Sequence, residues 1–400
     1  MKILVLNCGS SSVKYKLIDM PAAKVLAQGG LEKLGLKDSF LKYSQGDCEK
    51  EIIQKEIAEH TAGIEFILNI LTDSQNGAIS SLSEIDAVGH RVVHGGEKFN
   101  TSMRITHEVI EKIEECIKIA PLHNPPNLKG IRAIEKFMPY VPQVAVFDTA
   151  FHQTMPQKAF MYAIPYEYYK EKGVRRYGFH GTSHNYVSKR ALEVLKVKSE
   201  GSRMITCHIG NGGSITAIKD GKSIDTSMGM TPLEGLVMGT RAGDIDAGTV
   251  IYLMEENGYG VKEISSILNS KSGLFGISGV SSDMRDIQGK IGEGNERAAL
   301  AVEMFQYRVK KYIGAYIAAL GGLDVLVFTG GIGENNYKIR ELICENLECL
   351  GIQIDKNINA STIGEERILS PETAKVTVIV IPTDEELMIA SDTLGIVKVF

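Results

Sequence analysis

The sequence predicts a mixed α/β protein built from two halves of similar design. Three observations carry this expectation. Two apolar strand–turn–strand segments with Gly/Ser tips, 2–20 and 204–219, begin about 200 residues apart. Four other apolar runs end in polar tips, and amphipathic helical segments lie between them. At roughly 150 residues per domain, a chain of 400 residues has room for two or three domains.

Each element follows from its own pattern. Lys2 to Leu6 is a compact apolar run that stops at Asn7-Cys8-Gly9-Ser10-Ser11-Ser12, and Val13 to Met20 returns, as in a hairpin. Met204 to Ile209, the turn Gly210 to Ser214 and Ile215 to Lys219 repeat the arrangement. Ala87-Val88-Gly89 leads into His90-Arg91-Val92-Val93-His94-Gly95-Gly96, and Val144 to Phe147 leads into Asp148. Val325 to Phe328 leads into Thr329 to Asn335, and Val376 to Ile381 into Pro382 to Glu386. In open α/β sheets ligands gather beyond the C-terminal ends of strands, so these tips are the candidate site. Helices are expected over Glu108 to Ala120, from an N-cap at Ser183 onward, and over Arg297 to Leu320 with a stop at Gly321-Gly322. The Phe305, Val309, Tyr312 and Tyr316 stripe reads as core or subunit interface.

Composition narrows the function classes. Hydrophobic content of 44% and charged content of 23% exclude a disordered or fibrous chain. A net charge of −5 gives no reason to expect nucleic acid as a partner. The first residues are too short an apolar run for a secretory signal, and Ile313 to Phe328 is too broken to span a bilayer. The six cysteines show no C-x-x-C spacing and read as reduced thiols of a cytoplasmic protein. Glycine, at 41 residues, exceeds the usual ~7%.

Clustered glycines let backbone N–H groups approach phosphate oxygens. No G-x-x-x-x-G-K-[ST] occurs, and no strand-linked G-x-G-x-x-G with a following acidic residue, so P-loop and dinucleotide folds are set aside. Three separate Gly loops remain, 9–12, 210–214 and 330–333, and together they suit a nucleotide held from several sides. Arg91 and Arg241 sit in Gly-containing segments, where a planar guanidinium suits carboxylate or phosphate. Asp148 and Glu385 end apolar strands, where a carboxylate needs a partner. That partner is either Mg²⁺ or a structural salt bridge. His90/His94 and His180/His184 have i,i+4 spacing but lack H-E-x-x-H, and their segments read as Gly-rich loops more than helices, so zinc is disfavoured. Imidazoles, neutral or charged, that donate to phosphoryl oxygens fit better.

These residues resemble the acetokinase family of the acetate and sugar kinase, Hsp70 and actin (ASKHA) superfamily. The matching motifs are Asn7 to Lys14, Gly89 to Gly96, Pro121 to Pro125, Phe147 to His152, Arg176 to His184, His208 to Gly212, Pro232 to Gly235, Asp283 to Arg285 and Thr383 to Glu386. The resemblance runs through the whole chain. It implies two RNase H-like domains from duplicated βββαβαβα cores, with the active site in the interdomain cleft. The expected lobes are 1–150 plus about 386–400, and 151–385 for nucleotide binding and dimerisation. The implied reaction is reversible, in-line transfer of the ATP γ-phosphoryl group to acetate, giving acetyl phosphate and ADP and feeding acetyl-CoA synthesis.

Carried over by motif, Asn7 and Glu385 would bind Mg²⁺, with Mn²⁺ as a substitute. Asp148, His180, Arg241 and Arg91 would be catalytic. Arg91, Val93, Leu122, Phe179 and Pro232 would hold the acyl substrate. Lys14, His208, Ile209, Gly210, Asn211, Gly212, Asp283, Met284, Arg285, Gly331, Ile332, Gly333, Glu334 and Asn335 would bind ATP or ADP. A cytoplasmic homodimer with neither nucleic acid nor membrane partners is implied. Two departures from the family pattern stand out. Gly330 replaces a common Ala, which is expected to loosen its loop, and Ala247-Gly248 replace a common Pro.

Acetate is already an anion at neutral pH, with a carboxyl pKa of about 4 to 5. No general base is required, so Asp148 is expected to orient the metal or phosphoryl group instead of removing a proton. The alternatives are a propionate or other short-chain acyl kinase, against which Val93 weighs, and an actin- or Hsp70-like ATPase switch.

Overall fold

The computed structural model describes residues 1–46 and 48–399. The chain divides into two units, Met1–Phe151 with Asp384–Phe400 (unit 1) and His152–Thr383 (unit 2).

Unit 1 carries an eight-stranded sheet. Its strands are β1 (Lys2–Cys8), β2 (Val13–Asp19), β3 (Lys24–Glu32), β4 (Phe40–Gln45), β5 (Glu51–Gln54), β6 (Ala87–Val92), β7 (Met103–Arg104) and β8 (Gln143–Phe147). The order is β5-β4-β3-β2-β1-β6-β8-β7. β1, β2 and β3 run antiparallel, while β6 joins β1 in parallel and β8 joins β6 in parallel. β1 is apolar on both faces because both are covered. Leu4, Leu6 and Cys8 pack with Ile64, Ile67 and Ile134 from the helices His60–Leu71 and Asn124–Phe137. Ile3 and Val5 pack on the other face with Ile389 and Ala390 from the helix Glu385–Val397.

That last helix crosses β6 at Gly89, where an added Cβ would stand 2.5 Å from Thr393 Oγ1 and 2.7 Å from Ile389 Cγ2. Gly89 is therefore a packing glycine rather than a ligand-approach glycine. Lys16 pins the start of the helix, its Nζ donating to Asp384 Oδ1 at 3.0 Å and lying 3.5 Å from Glu386 Oε2. Asp384 Oδ1 in turn accepts from Leu387 N at 2.9 Å. These contacts place Asp384 and Glu385 in unit 1, whereas the motif-based boundary left both in the second lobe.

Unit 2 carries a six-stranded sheet of β9 (Arg203–Ile209), β10 (Gly213–Lys219), β11 (Lys222–Thr226), β12 (Val325–Thr329), β13 (Arg367–Ile368) and β14 (Thr377–Val380). The order is β11-β10-β9-β12-β14-β13, again with three antiparallel strands followed by two joined in parallel. Five strands of each sheet thus share one RNase H-like pattern. The helix Glu296–Leu320 lays Phe305, Val309, Ile313 and Tyr316 into the unit 2 core and stops at Gly321 in the left-handed region.

Four sequence expectations change. The helix expected over 108–120 ends at Glu115 and tightens to a 3₁₀ turn over Cys116–Lys118, because Pro121 bars the helical conformation for the residue before it. Ser183 does not cap its helix. Gly181–Leu195 starts from His180 at φ 56°, and the Ser183 hydroxyl is bonded instead to His208 Nδ1 and Thr383 Oγ1. His180 and His184 therefore flank the first helical turn rather than sit in a Gly-rich loop, and His90 lies within β6. Gly330 does not loosen a loop. It has φ +77° at the start of the helix Gly330–Asn335, and an added Cβ would stand 2.8 Å from the Ile209 carbonyl oxygen.

Candidate active site

In unit 1 the C-terminal ends of β1, β6 and β8 deliver Asn7, Arg91 and Asp148. Arg91 Nε donates to Asp148 Oδ1 at 3.1 Å, and Nη2 donates to Asp148 Oδ2. Nη1 donates to Asn7 Oδ1 at 3.2 Å, and Glu385 Oε2 lies 3.7 Å from Nε. Asp148 is 1% exposed, and the guanidinium is its ion-pair partner there. Burial opposes the Arg91 charge, but Asp148 and then Glu385 outweigh it and hold the guanidinium above its ordinary range. Burial pushes the Glu385 carboxyl up, with Arg91 pulling against the rise and Asp148 adding to it. The donors around Arg91 are all oxygens, the set that suits Mg²⁺ and not a softer metal. Among the described residues no cluster of three or more His, Cys, Asp or Glu is arranged to hold a metal ion by itself.

Sequence reasoning missed the residues that brace this end. Asn127, buried in the helix Asn124–Phe137, accepts from Val93 N at 3.0 Å and donates to the Cys8 carbonyl at 2.8 Å. Asn124 accepts from His94 N and donates to the His94 carbonyl. Their signal is two asparagines around a Pro-Pro pair at a helix start, where an amide is otherwise exposed. Val93 is buried, Leu122 is exposed, and Lys14 is exposed on the β2 face that also carries Lys16.

In unit 2 the site is built from imidazoles, one arginine and backbone. His180, held in the left-handed region, stacks on His208 with ring centroids 4.3 Å apart. Arg241 Nη1 donates to the Pro232 carbonyl at 2.6 Å, and burial pulls its guanidinium below the ordinary range without removing its charge. Arg241 Nη2 and His180 Nε2 both flank Gly212, at 3.2 and 3.7 Å from where a Cβ would stand. Phe179 is buried beside His152, whose Nε2 bonds to the Phe179 carbonyl. The Pro232-Leu233-Glu234-Gly235 segment is tied down by Arg176, which donates to Glu234 Oε1 at 2.6 Å.

A cavity of about 510 Å³ opens in the same unit, lined by Gly210, Asn211, Asp283, Met284, Arg285, Gly331, Ile332 and Asn335 among others. Eight of the predicted nucleotide residues thus meet in one place. Two others from that segment turn away. Glu334 Oε1 accepts from Gly330 N at 2.8 Å and Thr383 N at 3.0 Å, stapling the start of its own helix. The Gly333 carbonyl is taken by Arg340, a fully buried cation whose guanidinium donates to five carbonyl oxygens of Gly333, Glu334, Asn359 (side chain and backbone) and Thr362.

Residues 2–391 match the acetokinase family. The chain belongs to the acetokinase family. Membership carries the enzyme class with it, a phosphotransferase. The acetate kinase of Bacteroides thetaiotaomicron is 62% identical over the full length of both chains. The crystal structure of Porphyromonas gingivalis acetate kinase matches 99% of each chain with a TM-score of 0.95 at 60% identity. A propionate kinase from Francisella tularensis matches 99% of each chain with a TM-score of 0.92 at 44% identity.

Proposed function

We propose that this acetokinase family member transfers the γ-phosphoryl group of ATP to acetate, reversibly, and that the unit 1 and unit 2 residues described above serve that one reaction. The observation that carries the reading is the Arg91 guanidinium, half-buried at a strand end and fixed in orientation by Asp148 and Asn7. A planar fork held in this way is suited to a small carboxylate. Val93, buried beside it, supplies apolar surface for a methyl group.

The acceptor carboxylate needs no base. Asp148 spends both oxygens on Arg91, which supports a positioning role for it. The difficulty is bringing an anion to a polyanion, so the residues required are cations and hydrogen-bond donors. Arg241 and His180 are the unit 2 groups for the transferring phosphoryl. The 510 Å³ cavity, glycine-floored at Gly210 and Gly331, is of the size a nucleoside needs. Asn7 and Glu385 would hold Mg²⁺, and their oxygen-only chemistry fits it. When bound, the ion neutralises phosphate charge.

Hydroxamate trapping with ATP and acetate, propionate or butyrate tests the reading. Acetate should have the highest kcat/KM. A higher value for propionate would favour the second reading, to which the Francisella propionate kinase likeness lends support.

The assembly we propose is a homodimer in the cytoplasm, where ATP is supplied. In support, the helix Ala247–Asn257 buries no residue, although Ile251 and Tyr252 are apolar. Leu300, Met304 and Tyr307 share an exposed face of the helix Glu296–Leu320. Light scattering should give twice the chain mass of 43.7 kDa. Among the described residues no helix is long and apolar enough to cross a membrane.

A further inference from the structure

Behind His180 lies a buried row of hydrogen bonds that the reaction itself does not use. His180 Nδ1 is 2.9 Å from Ser214 Oγ. The same Ser214 Oγ is 2.7 Å from His184 Nε2, and His184 Nδ1 is 2.7 Å from Thr206 Oγ1. Ser214, His184 and Thr206 are all 0% exposed. His184 is neutral there. Burial, then His152 and His208, hold its pKa well below the ordinary value, so its ring carries one proton.

The direction of the row follows from counting protons. Among the described residues, the acceptor that meets the Thr206 hydroxyl is His184 Nδ1. Thr206 therefore donates to Nδ1, which leaves the single His184 proton on Nε2. That proton goes to Ser214 Oγ, and the Ser214 hydroxyl donates onward to His180 Nδ1. The reverse order would leave the Thr206 O–H buried without an acceptor, which folded proteins avoid.

We infer that Thr206, His184 and Ser214 act as positioning residues that lock His180 as the neutral tautomer with its proton on Nε2. His180 thus meets the phosphoryl group as an uncharged donor. The inference rests on the reading of His180 as a phosphoryl-facing group, and its geometry agrees. Nε2 is the nitrogen that shares the Gly212 side with Arg241 Nη2. A second proton, on Nδ1, would set two N–H donors against Ser214 Oγ and strand the serine hydrogen. The charged and titratable groups around the ring act in the same sense. Arg241 repels a second charge, His208 covers one ring face, and His184 and His152 lie behind. His180 sits in the left-handed region, at the residue just before the helix Gly181–Leu195.

The test is a ¹⁵N-histidine spectrum of the full-length protein at neutral pH, with His180 assigned by its loss in His180→Asn. The expected result is a protonated Nε2 and an unprotonated Nδ1. A proton on Nδ1, alone or together with Nε2, would overturn the lock. Thr206→Val removes the donor that sets the direction and should give a mixture of His180 tautomers, whereas Thr206→Ser should return the parent spectrum. An unchanged spectrum in folded Thr206→Val counts against the relay. Ser214→Ala should lower kcat by about tenfold to a hundredfold, the usual scale for partners behind a functional imidazole, with KM for ATP little changed. Near-parent turnover in His180→Asn would sink the role of His180 itself, while the spectrum still decides the tautomer.

Discussion

The two units put the same strand ends to different chemical use. Asn7 in β1 stands opposite Lys14, one pair before the hairpin closes, and His208 in β9 stands opposite Ser214 at the matching place. Beyond that frame the side chains diverge. Unit 1 is ionic, with one guanidinium fixed by Asp148, Asn7 and Glu385. In unit 2 Arg241 is anchored by a carbonyl oxygen instead of a carboxylate, with imidazoles and glycine backbone beside it. A shared fold thus fixes where groups emerge, while their chemistry is set residue by residue.

The largest expected effects come from the two arginines. Arg91→Ala and Arg241→Ala should each lower kcat by about 10³ or more. Their stabilities should part company. Arg91→Ala leaves the Asp148 carboxylate buried without its guanidinium, at a cost of about 3–5 kcal/mol. Arg241→Ala strands no charge and should melt close to the parent. Equal losses of Tm would break the ionic-versus-neutral contrast.

Next come the glycines. Gly330→Ala combines a positive φ with a backbone clash and should cost about 1–3 kcal/mol. It should also raise KM for ATP. Gly89→Ala meets side chains of the final helix and should cost a similar amount, with KM for ATP unchanged. A nucleotide effect from Gly89→Ala would contradict its assignment to packing.

Much of this was legible in the sequence because the strands are short apolar runs with polar ends. β1, β2, β9 and β12 fall within a residue or two of expectation, as does the helix Glu296–Leu320. What stayed hidden depends on distant partners. The capping failure of Ser183 follows from bonds to His208 and Thr383, the latter 200 positions away. The brace by Asn127 joins Cys8 to Val93. Glu334, grouped by motif with the nucleotide residues, is taken up by backbone N–H groups of Gly330 and Thr383.

Acid should act on both units alike. Burial pushes His90 in unit 1 and His152 in unit 2 down to about 4. Unfolded, each titrates near ~6.5. The unfolded state therefore takes up protons first, so stability is intact above that value, falls as pH drops toward 4, and levels off below it. Urea midpoints across this range should show the decline, and His152→Gln should make it shallower. A flat profile would mean these imidazoles are not buried neutral.

The smallest effect expected is in the acyl pocket. Val93→Ala should shift the propionate-to-acetate ratio of kcat/KM by about tenfold, since one methylene is worth about 1–3 kcal/mol. No shift would remove Val93 from the methyl site.

The final helix has a consequence for how the protein is made. Unit 1 is split along the chain, with Met1–Phe151 made before unit 2 and the final helix made after it. Until Ile389 and Ala390 emerge, Ile3, Val5, Ala87, Val144 and Val146 lack the helix that covers them. A nascent chain must therefore carry a bare apolar sheet face through the synthesis of all of unit 2. A message that stopped at Thr383 would yield a second half with all its strands joined to a first half prone to aggregate.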